Sequence, residues 1–301
     1  MSTPLDPKQA AFYGQFVAAA YDMFAVNEAD LRPAPLHIPD GWEFSAWINM
    51  SDFLFQIVDP KFYGIVVHQI ANPDNRIIAI RGTEGILEWV DDAASIVMVP
   101  FRQVPSAGRV AFGFDNIYST MKVVPVPHVA LGQAAAEGAE PELTGSFGDQ
   151  LEQLALRREA ERGVAHQFAE GRTRRVRPTI VTGHSLGSAL ATLFSLENSV
   201  KQKFDITVVS TLASPKVGNM EFKHIFDGLP FTSWRIVNIH DVVTMIPPTI
   251  PFILDFEHVA DAYPFDSTLF AKKNLGCYHS IDTYLHWLDN SVALSPECVP
   301  G

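Results

Sequence analysis

The chain has 301 residues, of which 47% are hydrophobic and 19% charged, with a formal net charge of -12. That length and composition suit one large α/β domain or two small ones with a sizeable core, and they exclude wholesale disorder. The acidic surface disfavours nucleic acid as a partner and electrostatic docking on anionic membranes, but not hydrophobic adsorption to neutral lipid.

No window approaches 18 uninterrupted apolar residues, so no transmembrane helix is expected. The opening Met1-Ser2-Thr3-Pro4-Leu5-Asp6 lacks the basic start and apolar run of a signal peptide. The chain is expected to stay inside, to have lost a leader before residue 1, or to be exported by another route. Two cysteines, Cys277 and Cys298, cannot build a disulfide framework and carry no metal-ligand spacing. One bridge between them is open to the chain, as are two buried thiols.

Helical spacing of apolar residues predicts an N-terminal helix over 7–25, followed by a Pro-rich loop over 31–41. Two β-rich runs, 62–70 and 76–82, flank the turn Asn72-Pro73-Asp74-Asn75 and read as a hairpin. Residues 84–100 are apolar and partly amphipathic, and 112–122 read as a helix. Residues 125–147, rich in Pro, Gly, Ala and Glu, read as a low-complexity surface insertion. A charged amphipathic helix is expected over about 148–170, and the basic run 172–177 as a solvated link. Then strand, turn and helix alternate regularly: strand 178–183, a helix over 188–198, strand 205–212, a helix over about 219–227, strand 233–239 and a last helix 278–290. Such alternation predicts an α/β fold with a largely parallel sheet covered on both faces, without an evident domain boundary.

Gly183-His184-Ser185-Leu186-Gly187 matches G-x-S-x-G between a β-branched strand and an Ala-rich helix. In that setting the serine sits on a tight strand-to-helix turn that only flanking glycines allow, and its hydroxyl projects from the carboxyl edge of the sheet. Ser185 is therefore the candidate nucleophile, with His184 as its supporting neighbour. A serine needs a base, and the base an orienting carboxylate. In this turn class the order is serine, acid, histidine. Asp241 directly follows a predicted strand and is favoured over Asp227, Asp255, Asp261 and Asp266. Downstream of it stand His258, His279 and His286. His286 reads as a packing or surface residue within the last helix. Position favours His279 over His258 and leaves both open. His240 adjoins Asp241 and reads as structural.

The motifs taken together resemble the fungal-type (class 3) triacylglycerol lipases, a group with the α/β-hydrolase fold. The resemblance covers about residues 60–290. Ile80-Arg81-Gly82-Thr83 is similar to the family's strand-end R-G-[ST], which implies oxyanion donors from the backbone N–H groups of Thr83 and Leu186. Trp89 and Asp92 stand where the family has W-x-x-D, so Asp92 is expected to hold the oxyanion side chain. The apolar stretch over 84–98, with Ile86, Leu87, Trp89 and Val90, resembles a lid that contacts substrate, although core packing is an equally simple reading. Gly113-Phe114 fits the family pattern, while Ala111 replaces an expected histidine, Ala213 a glycine, Thr244 a proline and Ser188 a glycine. His258-Val259 sits where the family has a structural H-x-G. His279 to Tyr284 matches the terminal H-x-x-x-x-Y, and this selects His279 as the base.

The resemblance implies a single α/β-hydrolase domain over 1–301 that cleaves carboxylic esters through an acyl-enzyme. Triacylglycerol, met at an oil–water interface, is the leading substrate. A carboxylesterase on short soluble esters, a phospholipase A1 and a feruloyl esterase share the motifs. A thioesterase or peptidase, and an inactive binding protein on the same fold, are the more distant readings. No cofactor or metal is expected, because the triad and backbone donors suffice.

Overall fold

Along residues 77–80 the side chains of Ile77, Ile78, Ala79 and Ile80 alternate between two hydrophobic clusters, because successive strand residues face opposite sides of a sheet. That strand lies at the centre of the fold. The structure, a computed structural model, describes residues 3–51, 59–83, 97–127, 142–161, 177–250 and 254–301. Its strands are β1 (Trp42–Met50), β2 (Lys61–Gln69), β3 (Arg76–Ile80), β4 (Met98–Pro100), β5 (Arg109–Ala111), β6 (Lys122–Pro125), β7 (Pro178–His184), β8 (Asp205–Leu212), β9 (Thr232–Asn238) and β10 (Ala262–Phe265). Its helices are α1 (Pro7–Val26), α2 (Phe112–Thr120), α3 (Phe147–Glu161), α4 (Leu186–Val200), α5 (Met220–Asp227), α6 (Leu275–His279) and α7 (Ile281–Leu288).

Eight strands form one sheet in the order β10-β9-β8-β7-β3-β2-β1-β6, and β4 pairs with β5 separately. From β3 to β10 the pairs are parallel, and from β3 to β6 they are antiparallel. One face is covered by α2, α3 and α4, the other by α1 and α7. The predicted parallel sheet with helices on both faces is thus observed, with an antiparallel flank. No described helix is long and apolar enough to cross a membrane.

α1 begins where Asp6 accepts from the Gln9 N–H and Pro7 occupies the first turn, a cap that contributes about 1 kcal/mol. Its buried side, including Phe16, Val17, Ala20 and Met23, packs against the sheet.

Three strands of the eight-stranded sheet are absent from the sequence expectations. In β1, register shifts at Phe44/Ala46 and Ile48/Asn49 break the period-two pattern that would have revealed it. β6 has four residues and ends at Pro125, so the insertion expected over 125–147 starts on a strand and ends inside α3. Residues 128–141 of it lie outside the described residues. β10 contains Pro264, which only an edge strand accommodates.

Two further expectations are corrected. Arg177 is not a solvated link residue: it is buried and its Nε lies 3.0 Å from buried Glu159 Oε1. Pairing is what makes such burial tolerable. The predicted last helix is two helices, because Ser280 takes an extended backbone between α6 and α7. Of the stretch 84–98, residues 84–96 lie outside the described residues, and so do 162–176 of the predicted helix and link.

Candidate active site

Ser185 joins β7 to α4 with φ 58 and ψ -128, a strained positive-φ conformation that costs a non-glycine residue about 1–3 kcal/mol. The neighbours hold it there. A Cβ on Gly187 would lie 2.1 Å from the Ile80 carbonyl oxygen, and one on Gly183 would lie 2.4 Å from the Gly187 carbonyl oxygen. Neither position has room for a side chain. Ser188, where the resemblance expects glycine, donates its hydroxyl towards the Gly183 and Leu212 carbonyls, at 2.7 and 2.8 Å. The Ser185 N–H donates to the Leu212 carbonyl at 3.0 Å, tying the turn to β8.

Asp241, carried by β9 two strands from β7, and His279, at the end of α6, meet Ser185 at the carboxyl edge of the parallel strands. Ser185 Oγ lies 2.8 Å from His279 Nε2, and His279 Nδ1 lies 2.7 Å from Asp241 Oδ2. A carboxylate only accepts, so the imidazole proton belongs on Nδ1, and Nε2 offers its lone pair to the serine hydroxyl. Asp241 follows β9 and is buried. Its Oδ1 accepts from the Val243 N–H at 3.0 Å, and its Oδ2 also accepts from the Tyr284 hydroxyl at 2.8 Å. The Tyr284 oxygen in turn accepts from the Asn238 N–H at 3.1 Å. Burial, and then the Asp241 charge, push the Tyr284 phenol well above its usual range, so it remains a donor.

His279 ends α6, and three ties position that short helix. Asn274 caps it by accepting from the Cys277 N–H at 2.8 Å. Asn238 Nδ2 donates to the Tyr278 carbonyl at 2.8 Å. A disulfide joins Cys277 to Cys298 in the C-terminal tail, so of the two readings open to the cysteines the bridged one is observed.

The alternative candidates are occupied elsewhere. His286 Nδ1 donates to the Val292 carbonyl at 2.7 Å. His258 is held down to about 3 by desolvation and then by Arg235, as a half-buried neutral ring. His240 lies 3.0 Å from Asp266 and its ring faces Tyr278. Asp227 accepts from the Ala260 N–H and pairs with Lys223, while Asp255 and Asp261 are exposed.

Thr83 follows β3 and is half-buried, and Leu186 opens α4 beside Ser185. The parallel register pairs Ile80 with Gly183, which brings the Arg81-Gly82-Thr83 segment alongside the serine turn. A Cβ on Gly82 would lie 2.7 Å from Ser185 Cβ, so glycine permits this approach. Asp92, Ile86, Leu87, Trp89 and Val90 lie outside the described residues. His184 is fully buried with its ring 4.7 Å from the His279 ring. Burial, and then His279, hold it well below the usual histidine range. Ala213 adopts φ 55 where the resemblance expects glycine, so the left-handed backbone is kept without the residue that favours it.

Sequence reasoning missed Tyr21. Its hydroxyl reaches the site from α1, and helical periodicity identifies it only as a helix residue. Among the described residues no group of three or more His, Cys, Asp or Glu could hold a metal ion.

The class 3 lipase family model matches residues 77–250, more than half of the chain. The chain belongs to the class 3 lipase family. The matched segment contains Thr83, Ser185, Leu186 and Asp241, while His279 lies beyond it. Chloroplastic phospholipase A1-Igamma3 of Arabidopsis thaliana is 28% identical over 242 residues, covering 71% of this chain and 42% of that protein. Phospholipase A1-II 3 of Oryza sativa subsp. indica is 26% identical over 306 residues, covering 92% of this chain and 64% of that protein. The chain therefore spans less than two thirds of either relative. A solved triacylglyceride lipase of Rhizomucor miehei matches with a TM-score of 0.56 at 18% identity, covering 87% of this chain and 81% of that one. The likeness extends to the fold: a central sheet, parallel in its serine-bearing half, with the helices of the α/β-hydrolase lipases on both faces.

Proposed function

We propose that this class 3 lipase is a serine hydrolase of lipid acyl esters, with triacylglycerol as its leading substrate. The observation that carries the reading is the hydrogen-bonded chain from Ser185 through His279 to Asp241, set on a turn that only glycines permit. His279 takes the Ser185 proton as Oγ attacks the ester carbonyl, and Asp241 stabilises the resulting imidazolium. The backbone N–H groups of Thr83 and Leu186 bind the oxyanion, and His279 returns the proton to the leaving alcohol. Water, activated by the same histidine, attacks the acyl-enzyme and releases the fatty acid with Ser185 restored. Water is the only co-reactant.

A second reading, phospholipase A1, is favoured by the names of the curated relatives and uses the same chemistry on a phospholipid ester. The test is a hydrolysis profile over short soluble esters, emulsified triacylglycerol and phospholipid vesicles, for the wild type and Ser185→Ala. Ser185-dependent turnover, highest on emulsified triacylglycerol, is expected. Highest turnover on phospholipid moves the assignment to the second reading, and undiminished turnover in Ser185→Ala contradicts both.

A further inference from the structure

We propose that Tyr21 is a positioning residue of this site, its hydroxyl joining the oxyanion segment to the serine turn and fixing the tautomer of His184. The proposal rests on the reading of Ser185 as nucleophile. The Gly82 N–H donates to Tyr21 Oη at 2.7 Å, and the same oxygen lies 2.8 Å from His184 Nδ1. Gly82 immediately precedes Thr83, and His184 immediately precedes Ser185. One hydroxyl on α1 therefore touches the neighbours of both the proposed oxyanion donor and the nucleophile.

The Gly82 backbone is held from both sides. Arg81 Nη1 donates to the Gly82 carbonyl at 2.7 Å. That carbonyl shares a planar trans peptide with the Thr83 N–H, so fixing the oxygen aims the N–H in the opposite direction. The guanidinium is itself immobilised. Its Nε and Nη2 donate to the Phe62 carbonyl, and its carbon lies 3.4 Å from the Phe24 ring centroid and 4.2 Å from that of Tyr63. Phe24 stands three residues after Tyr21, on the same side of α1. The first helix thus supplies one side chain that holds the Gly82 N–H and another that holds the arginine bound to its carbonyl. Both lie outside the segment that the family model matches.

The His184 tautomer follows from its surroundings. The Tyr21 oxygen already accepts from the Gly82 N–H, so the hydroxyl's own proton is directed to His184 Nδ1, which accepts it. The single proton of the neutral ring therefore belongs on Nε2. This orientation presents a neutral ring, not a cation, to the face of His279. A proton on His184 would oppose the positive charge that His279 must acquire during catalysis.

The test is steady-state hydrolysis of a short soluble ester by Tyr21→Phe, which removes only the hydroxyl, with Tyr13→Phe as a control on the same helix. Tyr21→Phe is expected to lower kcat about tenfold, less than the 10²–10³ typical of a lost oxyanion donor, with KM and Tm little changed. Tyr13→Phe is expected to leave kcat unchanged. Wild-type kcat in Tyr21→Phe, with Ser185→Ala inactive, overturns this inference and leaves the nucleophile standing. Activity in Ser185→Ala overturns the underlying reading instead. Should Tyr21→Phe not fold, ¹⁵N spectra of histidine-labelled wild type decide the matter. A neutral His184 protonated on Nε2 is expected, and a proton on Nδ1 or an imidazolium at neutral pH contradicts the proposal.

Discussion

Ser185 and His279 meet at 2.8 Å, yet their supports differ in kind. The serine is placed by backbone: β7, α4 and two glycines packed against carbonyl oxygens leave one conformation available. The histidine is placed by side chains: the Asp241 carboxylate, the Tyr284 hydroxyl, the Asn274 cap, the Asn238 amide and a disulfide. Steric confinement is all-or-none, because close-packed backbone cannot yield by a few tenths of an ångström. Hydrogen-bonded support is divisible, since each tie can be removed singly with the fold intact. Damage on the serine side should therefore appear as instability, and loss of a hydrogen-bonded tie on the histidine side as slow turnover by a folded protein.

The largest expected effect is on the histidine side. Asp241→Asn should lower kcat by about 10⁴ with little change in Tm, because an amide can donate to His279 and favour the wrong tautomer. A loss below tenfold in steady-state assays would mean that the carboxylate does not orient the base. On the serine side, Gly187→Ala should cost about 3 kcal/mol or more, since its Cβ would meet backbone 2.1 Å away. Denaturant unfolding checks this, and unchanged stability would show that the turn is not confined.

A smaller effect is expected from Cys277→Ser with Cys298→Ser. The bridge closes a loop with a sequence separation of 21, so its removal should cost about 3 kcal/mol. Turnover of the folded fraction should fall as α6 loosens. Full kcat with full stability would remove the disulfide from the base's support.

The smallest effect is a pH dependence away from both. His258, near 6.5 when unfolded, is held down to about 3 in the fold. As pH falls below about 6.5, the unfolded chain takes up a proton that the folded chain refuses until about 3. Stability should therefore decline across that window. His184 acts in the same direction, so the comparison with His258→Gln isolates the His258 contribution. Thermal melts from pH 7 to 4.5 should slope less steeply in that variant, and an unchanged slope would contradict the assignment.

Legibility in the sequence followed the same division. The serine turn was readable because its constraint is local: a β-branched strand, two glycines and a helix within about twenty residues. Asp241 was readable from its place after β9. His279 could not be separated from His258 by position, because the ties that place it come from Asn238, Asp241 and Cys298, distant in the chain. Only the family resemblance chose between the two. Strand β1 escaped because bulges disrupt its alternation, β6 because it is short, and β10 because it contains proline. Tyr21 escaped because a tyrosine in an apolar helix looks like packing until the partners of its hydroxyl are known.

The most direct test of the central claim is covalent trapping with an alkyl p-nitrophenyl phosphonate, followed by mass spectrometry of the digested protein. One adduct per chain on the Ser185 peptide is expected, formed in step with loss of ester hydrolysis and strongly slowed in His279→Ala. An adduct on another residue accompanying that loss, or undiminished hydrolysis by protein fully labelled at Ser185, would contradict the account.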